Sequence, residues 1–330
     1  MARFCRLTAL LAVILFAVPP LVQAQTAPYE AAYVALKAML DNKQPPNFSK
    51  AVFTVENAWF DNKLSKVEFE QNIAQLASLC QQMVAKKQLQ SYRTSRNWAI
   101  FMLLTQKIPE NKNVPYAYDF EDFTGNGNYA HTFVTRLLKD RKGNCLSLPL
   151  LYKCLAQQLG AQAQLTIGPS HTWIRHINEN GNWTNVELTS GQFPSDGLMM
   201  TELGVTNEAI RSGAYGKELT EKQALAFMLT QLAVGYYHKT RLWDAFTDKC
   251  ANLSIQYFAP NVVAYMIKAN VVSSQGSLLL TAHLPNQARL KQLHARFVAY
   301  QSILRKLGGN TLTDSSYKMW VKSMKNRSNK

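Results

Sequence analysis

The sequence predicts an α+β protein: a helical N-terminal segment, a core in which a cysteine-bearing helix packs on an antiparallel sheet, and a C-terminal helical module. Three observations lead there. Apolar residues recur at helical spacing on both sides of the chain's middle, as in Phe69, Ile73, Leu76, Cys80 and Val84, and again in Trp243, Phe246, Cys250, Leu253 and Tyr257. Between these stripes, residues 161–167, 171–177 and 183–189 are short β-prone runs, the last two parted by the turn cluster 178–182. Just before them, Leu148, Leu151, Tyr152, Leu155 and Leu159 share one helical face, and Gly160 ends that helix.

The elements follow in order. Residues 1–24 read as a secretory signal: Arg3 and Arg6, an apolar run over 7–18 broken by Thr8, then Val22-Gln23-Ala24 as a small-x-small cleavage site before Gln25. The run is too short to span a bilayer, and no later run is long enough. Cys5 precedes the run, so no lipid anchor at the cleavage point is indicated. The mature chain is expected to be exported, secreted or periplasmic, without an integral membrane segment. Residues 25–107 form the helical segment, with Ser65 and Glu68 as a capping box and a further helix from about Trp98 to Thr105.

Residues 108–215 form the expected core. They open with Gly/Asn/Pro-rich loops to residue 130, then a short helix over 131–139. Gly143-Asn144 breaks the chain before Cys145. Pro149 loses no hydrogen bond if Ser147 is the N-cap of the next helix, which leaves Cys145 just ahead of it. Residues 216–310 form the helical module, with Thr220 and Gln223 as a capping box, a new helix after Pro260-Asn261, and a last helix ending at Gly308-Gly309. Leu232-Ala233, Tyr236, Ala245 and Pro260-Asn261 resemble a tetratricopeptide unit, but the spacing is about three residues too long and no second copy follows. Residues 311–330 form a basic tail.

The chain has 330 residues, 47% hydrophobic, ample to bury a core. Losing residues 1–24 removes two basic residues and no acid, so the formal charge falls from +15 to +13. The charge is scattered, its densest run lies in the tail, and no nucleic-acid-reading motif occurs, so no nucleic-acid partner is expected. The Gly125-Asn126-Gly127-Asn128 stretch lacks the Gly-Lys-Ser/Thr of a phosphate loop and the acid spacing of a calcium loop. His131 and His176 have no Cys/His neighbours at zinc spacing, so neither metal nor cofactor is expected. Four cysteines remain in a chain too large and cysteine-poor for a disulfide scaffold. Cys80, Cys154 and Cys250 fall on apolar helix stripes, where cysteine is a small buried hydrophobe. Cys145 does not.

Three strings stand out: Gly143-Asn144-Cys145, His171-Thr172-Trp173, and Trp183-Thr184-Asn185-Val186-Glu187-Leu188-Thr189. Together they resemble the transglutaminase-like superfamily of papain-like proteins. Its pattern is Gly-x-Cys opening a helix, His-x-Trp opening a strand, and Trp-x-x-x-Asp-x-Thr on the next strand. Here Glu187 stands where aspartate is usual. The resemblance covers about Tyr116 to Phe193 and is especially similar to bacterial members with an appended helical domain. It implies a papain/transglutaminase-like core, Cys145 as nucleophile, His171 as base and Glu187 as orienting acid.

The chemistry accounts for these residue types. A cysteine attacks an acyl carbon as thiolate, which a helix N-terminus and a nearby imidazole both stabilise. The imidazole then protonates the leaving amine, an acid or amide fixes its tautomer, and amides at a helix start steady the oxyanion. Asn185 lies on the same strand face as Glu187 and is the alternative orienting residue. Trp173 and Trp183 are expected in the hairpin core, with a substrate groove as the alternative.

Hairpin register decides whether the triad assembles. A two-residue turn at Asn180-Gly181 would point His171 and Glu187 to opposite faces. A three-residue turn over 179–181, with Gly181 left-handed, pairs Asn178 with Asn182, sets His171 opposite Thr189 and makes Glu187 its diagonal neighbour. The expected function is acyl transfer from an amide through a Cys145 thioester, on a peptide or protein substrate or a cell-envelope component. The rival expectations are a non-catalytic binding platform and a basic envelope-binding structural protein.

Overall fold

The computed structural model describes the backbone of residues 20–281 and 286–309. The fold is mixed, mostly helical, with its strands in two small sheets. Residues 1–19 and 310–330 lie outside the described residues, and with them most of the expected signal segment and all of the basic tail. The expected cleavage point after Ala24 falls within the first helix, α1 (Pro20–Leu40). Among the described residues no helix is long and apolar enough to cross a membrane.

Three more helices follow α1: α2 (Phe48–Trp59), α3 (Lys66–Lys86) and α4 (Ser95–Thr105). Ser65 caps α3 by accepting from the Glu68 amide at 3.1 Å. The stripe Phe69, Ile73 and Cys80 is buried as its spacing requires. Next come a two-residue strand β1 (Ala117–Tyr118), helix α5 (Val134–Asp140) and strand β2 (Lys142–Gly143), which pairs in parallel with β1.

The helix expected over 131–139 is divided. A 3-10 turn (Tyr129–Thr132) ends at Phe133, which is extended, and α5 starts only at Val134. The cause is a cap supplied from elsewhere: buried Glu56 of α2 accepts from the amides of Val134 and Thr135 at 2.7 and 2.9 Å. Burial pushes the Glu56 carboxyl up to about 7 although both amides pull the other way.

Helix α6 (Ser147–Leu159) packs on the sheet β3 (Gln164–Gly168), β4 (His171–Ile177) and β5 (Trp183–Val186), antiparallel in that order. Leu146, not Ser147, holds the N-cap position, so Pro149 is third in the helix and still costs no hydrogen bond. β5 stops at Val186, because Glu187 instead exchanges backbone bonds with Gln192 at 2.9 and 3.0 Å. On the other edge, Gly216 and Leu219 donate to Ile167 and Leu165, which covers β3. Two short helices, α7 (Asp196–Glu202) and α8 (Asn207–Ser212), fill the return.

The last four helices are α9 (Glu221–Thr240), α10 (Ala245–Tyr257), α11 (Val262–Thr281) and α12 (Gln287–Lys306). The Thr220–Gln223 capping box is complete. These helices return to the start of the chain. The Tyr29 ring of α1 lies 5.3 Å from Tyr236 and 6.0 Å from Phe246, and the Tyr257 hydroxyl donates to Asp41 at 2.9 Å. Helices from before and after the sheet therefore share one core.

Gly143 is enforced by space. A Cβ there would lie 2.6 Å from Ser147 Oγ and 2.8 Å from Leu137 Cδ1, and Ser147 Oγ already accepts from the Asn144 amide. Gly143→Ala is expected to lower stability by about 1–3 kcal/mol. Urea unfolding followed by circular dichroism measures this, and an unchanged midpoint would mean that the turn before Cys145 relaxes freely.

Candidate active site

The β4–β5 turn is a three-residue turn. Asn178 N–H donates to the Asn182 carbonyl at 2.8 Å, Gly181 has φ +82°, and Ile177 pairs with Trp183, His176 with Thr184, and Arg175 with Asn185. Asn178 Oδ1 also accepts from the amides of Asn180 and Asn182, a local reason for the turn to close this way. The register places His171 and Glu187 on one face. His171 Nε2 donates to Glu187 Oε2 at 2.6 Å. The longer glutamate side chain is held at its other oxygen, where Oε1 accepts from the Thr189 amide at 2.8 Å.

Cys145 lies one residue before the N-cap of α6, between the β1–β2 pair and the β3–β4 turn. Its thiol is near enough to His171 to help raise the ring's pKa, and it lies 3.7 Å from the Ser170 carbonyl. Since Nε2 is spent on Glu187, Nδ1 is the ring atom that can exchange a proton with the sulfur. Ser170 is left-handed, φ +54°, after Pro169 in a two-residue turn, and this conformation sets its carbonyl beside the sulfur. The three residues are buried to different degrees: Cys145 is 7% exposed, His171 3% and Glu187 1%.

Electrostatics favour an ion pair. Burial disfavours both charges, yet the attraction of Glu187 and the contact with Cys145 outweigh it at His171, which is raised well above an ordinary histidine. Glu187 is likewise opposed by burial but is lowered by His171 and by Thr189. The other cysteines behave as buried hydrophobes. Burial pushes Cys80 and Cys154 up to about 12 and Cys250 well up, within α3, α6 and α10.

Asn185 is committed elsewhere. Its Oδ1 accepts from the Trp173 indole at 2.9 Å, and its Nδ2 donates to the Pro194 carbonyl and to Asp196 Oδ1 at 3.0 and 2.7 Å. Trp173 is fully buried, as expected. Trp183 is not: it is 42% exposed, with the Arg175 guanidinium 5.7 Å from its ring centre. The end of the hairpin extends past the core, so Trp183, on the same sheet face as Trp173, is left facing water.

Asn144 was not foreseen. Its Oδ1 accepts from the amides of Leu146 and Ser147 at 3.0 and 2.9 Å, and its Nδ2 donates to the Phe123 carbonyl at 2.7 Å. Two amides at the start of α6, where oxyanion donors were expected, are thereby used inside the turn. An Asn between a structural glycine and the cysteine is the signal that could have revealed this. His131 lies 2.7 Å from Asp122, which also accepts from the Gly127 and Asn128 amides and so orders the Gly-Asn loop. His176 is buried, with Nδ1 3.2 Å from the Ile177 carbonyl oxygen. Among the described residues no group of three or more His, Cys, Asp or Glu is placed to hold a metal.

No family model, curated protein or solved structure matches this chain.

The raised His171 and lowered Glu187 set a pH dependence. Their stabilisation is fully present between the unfolded values of about 4.3 and 6.5. It is lost as pH rises through the raised His171 value, or falls through the lowered Glu187 value. In Glu187→Gln the His171 ring is expected to titrate at clearly lower pH, because burial is then less opposed. NMR titration of the ring protons checks this, and an unshifted His171 would show that Glu187 does not control it.

Proposed function

We propose that this chain is a cysteine-dependent acyl-transfer enzyme acting on amide bonds, built on a papain/transglutaminase-like core. The observation that carries the proposal is the ordered contact Cys145–His171–Glu187, drawn from a helix start and two strands, with the His171–Glu187 bond at 2.6 Å. In this reading His171 Nδ1 takes the proton of the Cys145 thiol, so that the sulfur can attack. The sulfur attacks the amide carbon, and a C–S bond forms as the carbonyl oxygen takes up negative charge. The C–N bond then breaks as His171 Nδ1 gives its proton to the leaving amine, leaving a thioester at Cys145. Water or an amine attacks the thioester, its proton passes to His171, and the C–S bond breaks to restore the thiolate. Glu187 stays ionised throughout and stabilises the imidazolium. An exported site of action and a peptide, protein or envelope substrate belong to the same proposal.

One observation favours a binding-only reading: the near-complete burial of the triad, which leaves little open surface at the sulfur. Treatment with iodoacetamide, read by mass spectrometry of the intact protein and its peptides, separates the two. Modification is expected at Cys145 and not at Cys80, Cys154 or Cys250. Glu187→Gln should slow acylation of Cys145 by an activated ester at least about tenfold, roughly 1.4 kcal/mol of barrier. Asn185→Ala should act mainly on stability through Trp173 and Asp196. An unmodified Cys145 in the folded protein, or acylation indifferent to both His171→Ala and Glu187→Gln, would favour the binding platform.

A further inference from the structure

Charge is segregated along this chain in a way the fold makes spatial. From Val262 to Gly309 the sequence contains no Asp or Glu, whereas Lys268, Arg289, Lys291, Arg296, Arg305 and Lys306 are all basic. This stretch carries the antiparallel hairpin of α11 and α12. Among the described residues only Lys268, near its base, is neutralised, through Asp248 at 2.9 Å. Among the described residues no carboxylate pairs with Arg289, Lys291 or Arg296.

The far end of the hairpin joins that charge to exposed aliphatic surface. Leu278 and Leu280, in the last turn of α11, are 67% and 62% exposed. Arg289 and Lys291 open α12 at the same end, and Arg289 sits in a first turn that contains no acid. The helix dipole disfavours a cation there, and the Arg289 guanidinium is met only by the neutral Gln292, at 2.6 Å, among the described residues. Behind the tip, Val272, Gly276, Leu280, Leu290, Leu293 and Phe297 line an open apolar trough of about 430 Å³.

We infer that the α11–α12 hairpin tip docks on an anionic phospholipid surface, with Leu278 and Leu280 entering the headgroup–acyl boundary and Arg289 and Lys291 meeting the phosphates. Aliphatic groups beside cations suit a lipid interface, where the apolar groups leave water as the cations approach negative charge. A nucleic-acid site would instead set its cations among stacking aromatics. Docking at this end would hold the chain at the membrane by its periphery.

Vesicle co-sedimentation tests this with the full chain. Binding is expected to vesicles of phosphatidylglycerol and phosphatidylcholine but not to phosphatidylcholine alone, and to weaken with salt. Leu278→Asn/Leu280→Asn and Arg289→Gln/Lys291→Gln should each reduce partitioning at least about tenfold, with circular dichroism and Cys145 alkylation unchanged. A companion variant, Lys318→Gln/Lys322→Gln/Lys325→Gln, tests the basic tail. Equal binding to neutral vesicles, or loss of binding only in the tail variant, would overturn the inference. So would binding to soluble polyanions with none to vesicles, or a dimer in sedimentation that the leucine changes abolish. Because Cys145 alkylation is read in the same samples, failure here is distinct from failure of the proposed chemistry.

Discussion

The candidate site depends on the parity of one turn. Side chains alternate along β4 and β5, so one residue more or fewer between Ile177 and Trp183 would turn His171 and Glu187 to opposite faces. The three-residue turn is held by local chemistry: Gly181 takes a left-handed conformation, and the Asn178 side chain accepts from two amides of the turn. The same parity sets Trp173 beside Asn185, whose amide reaches Asp196 at the start of α7. One small turn thus orders both the histidine–carboxylate pair and the packing beneath it.

Cys145 reaches this pair by a separate set of constraints. The β1–β2 pairing positions Gly143, the Asn144 side chain ties down the first amides of α6, and Glu56 fixes α5 immediately upstream. From the opposite side, the left-handed Ser170 offers its carbonyl to the sulfur. Cys145 and His171 are therefore carried on elements that meet only when α6 packs against β3 and β4. Such positioning by buried backbone and amide contacts is what a reactive geometry requires, since small displacements weaken proton transfer steeply.

Much of this was legible in the sequence for identifiable reasons. The helix stripes and caps and the span of β4 follow from local rules: apolar period, Ser/Thr capping and β propensity, whereas the residues of the turn allowed either register and only the triad required the even one. The side chains of Asn144 and Glu56 were not legible because their partners are backbone amides, which leave no residue-type signature. The split at Phe133 escaped for the same reason, since its cap comes from a residue 78 positions earlier. Trp183 misled because alternation predicts a face but not where along the strand the core ends. The early end of β5 at Val186 is similar: Gln192 competes for the Glu187 backbone, a pairing set by loop closure and not by β propensity.

The pairing of α1 with the last helices has a consequence for how the chain is made. Tyr29 and Glu30 meet Gly235 and Lys249, partners 206 and 219 residues away. During synthesis α2 can pack on α1 early, but these partners emerge only after about three quarters of the chain, so the part of α1 that they cover must wait until then. A segment in that state is both a substrate for chaperones and an opening for misassociation. Completion of the fold, and burial of α1, is thus a late event governed by the C-terminal helices, whatever the speed at which the hairpin bearing His171 forms.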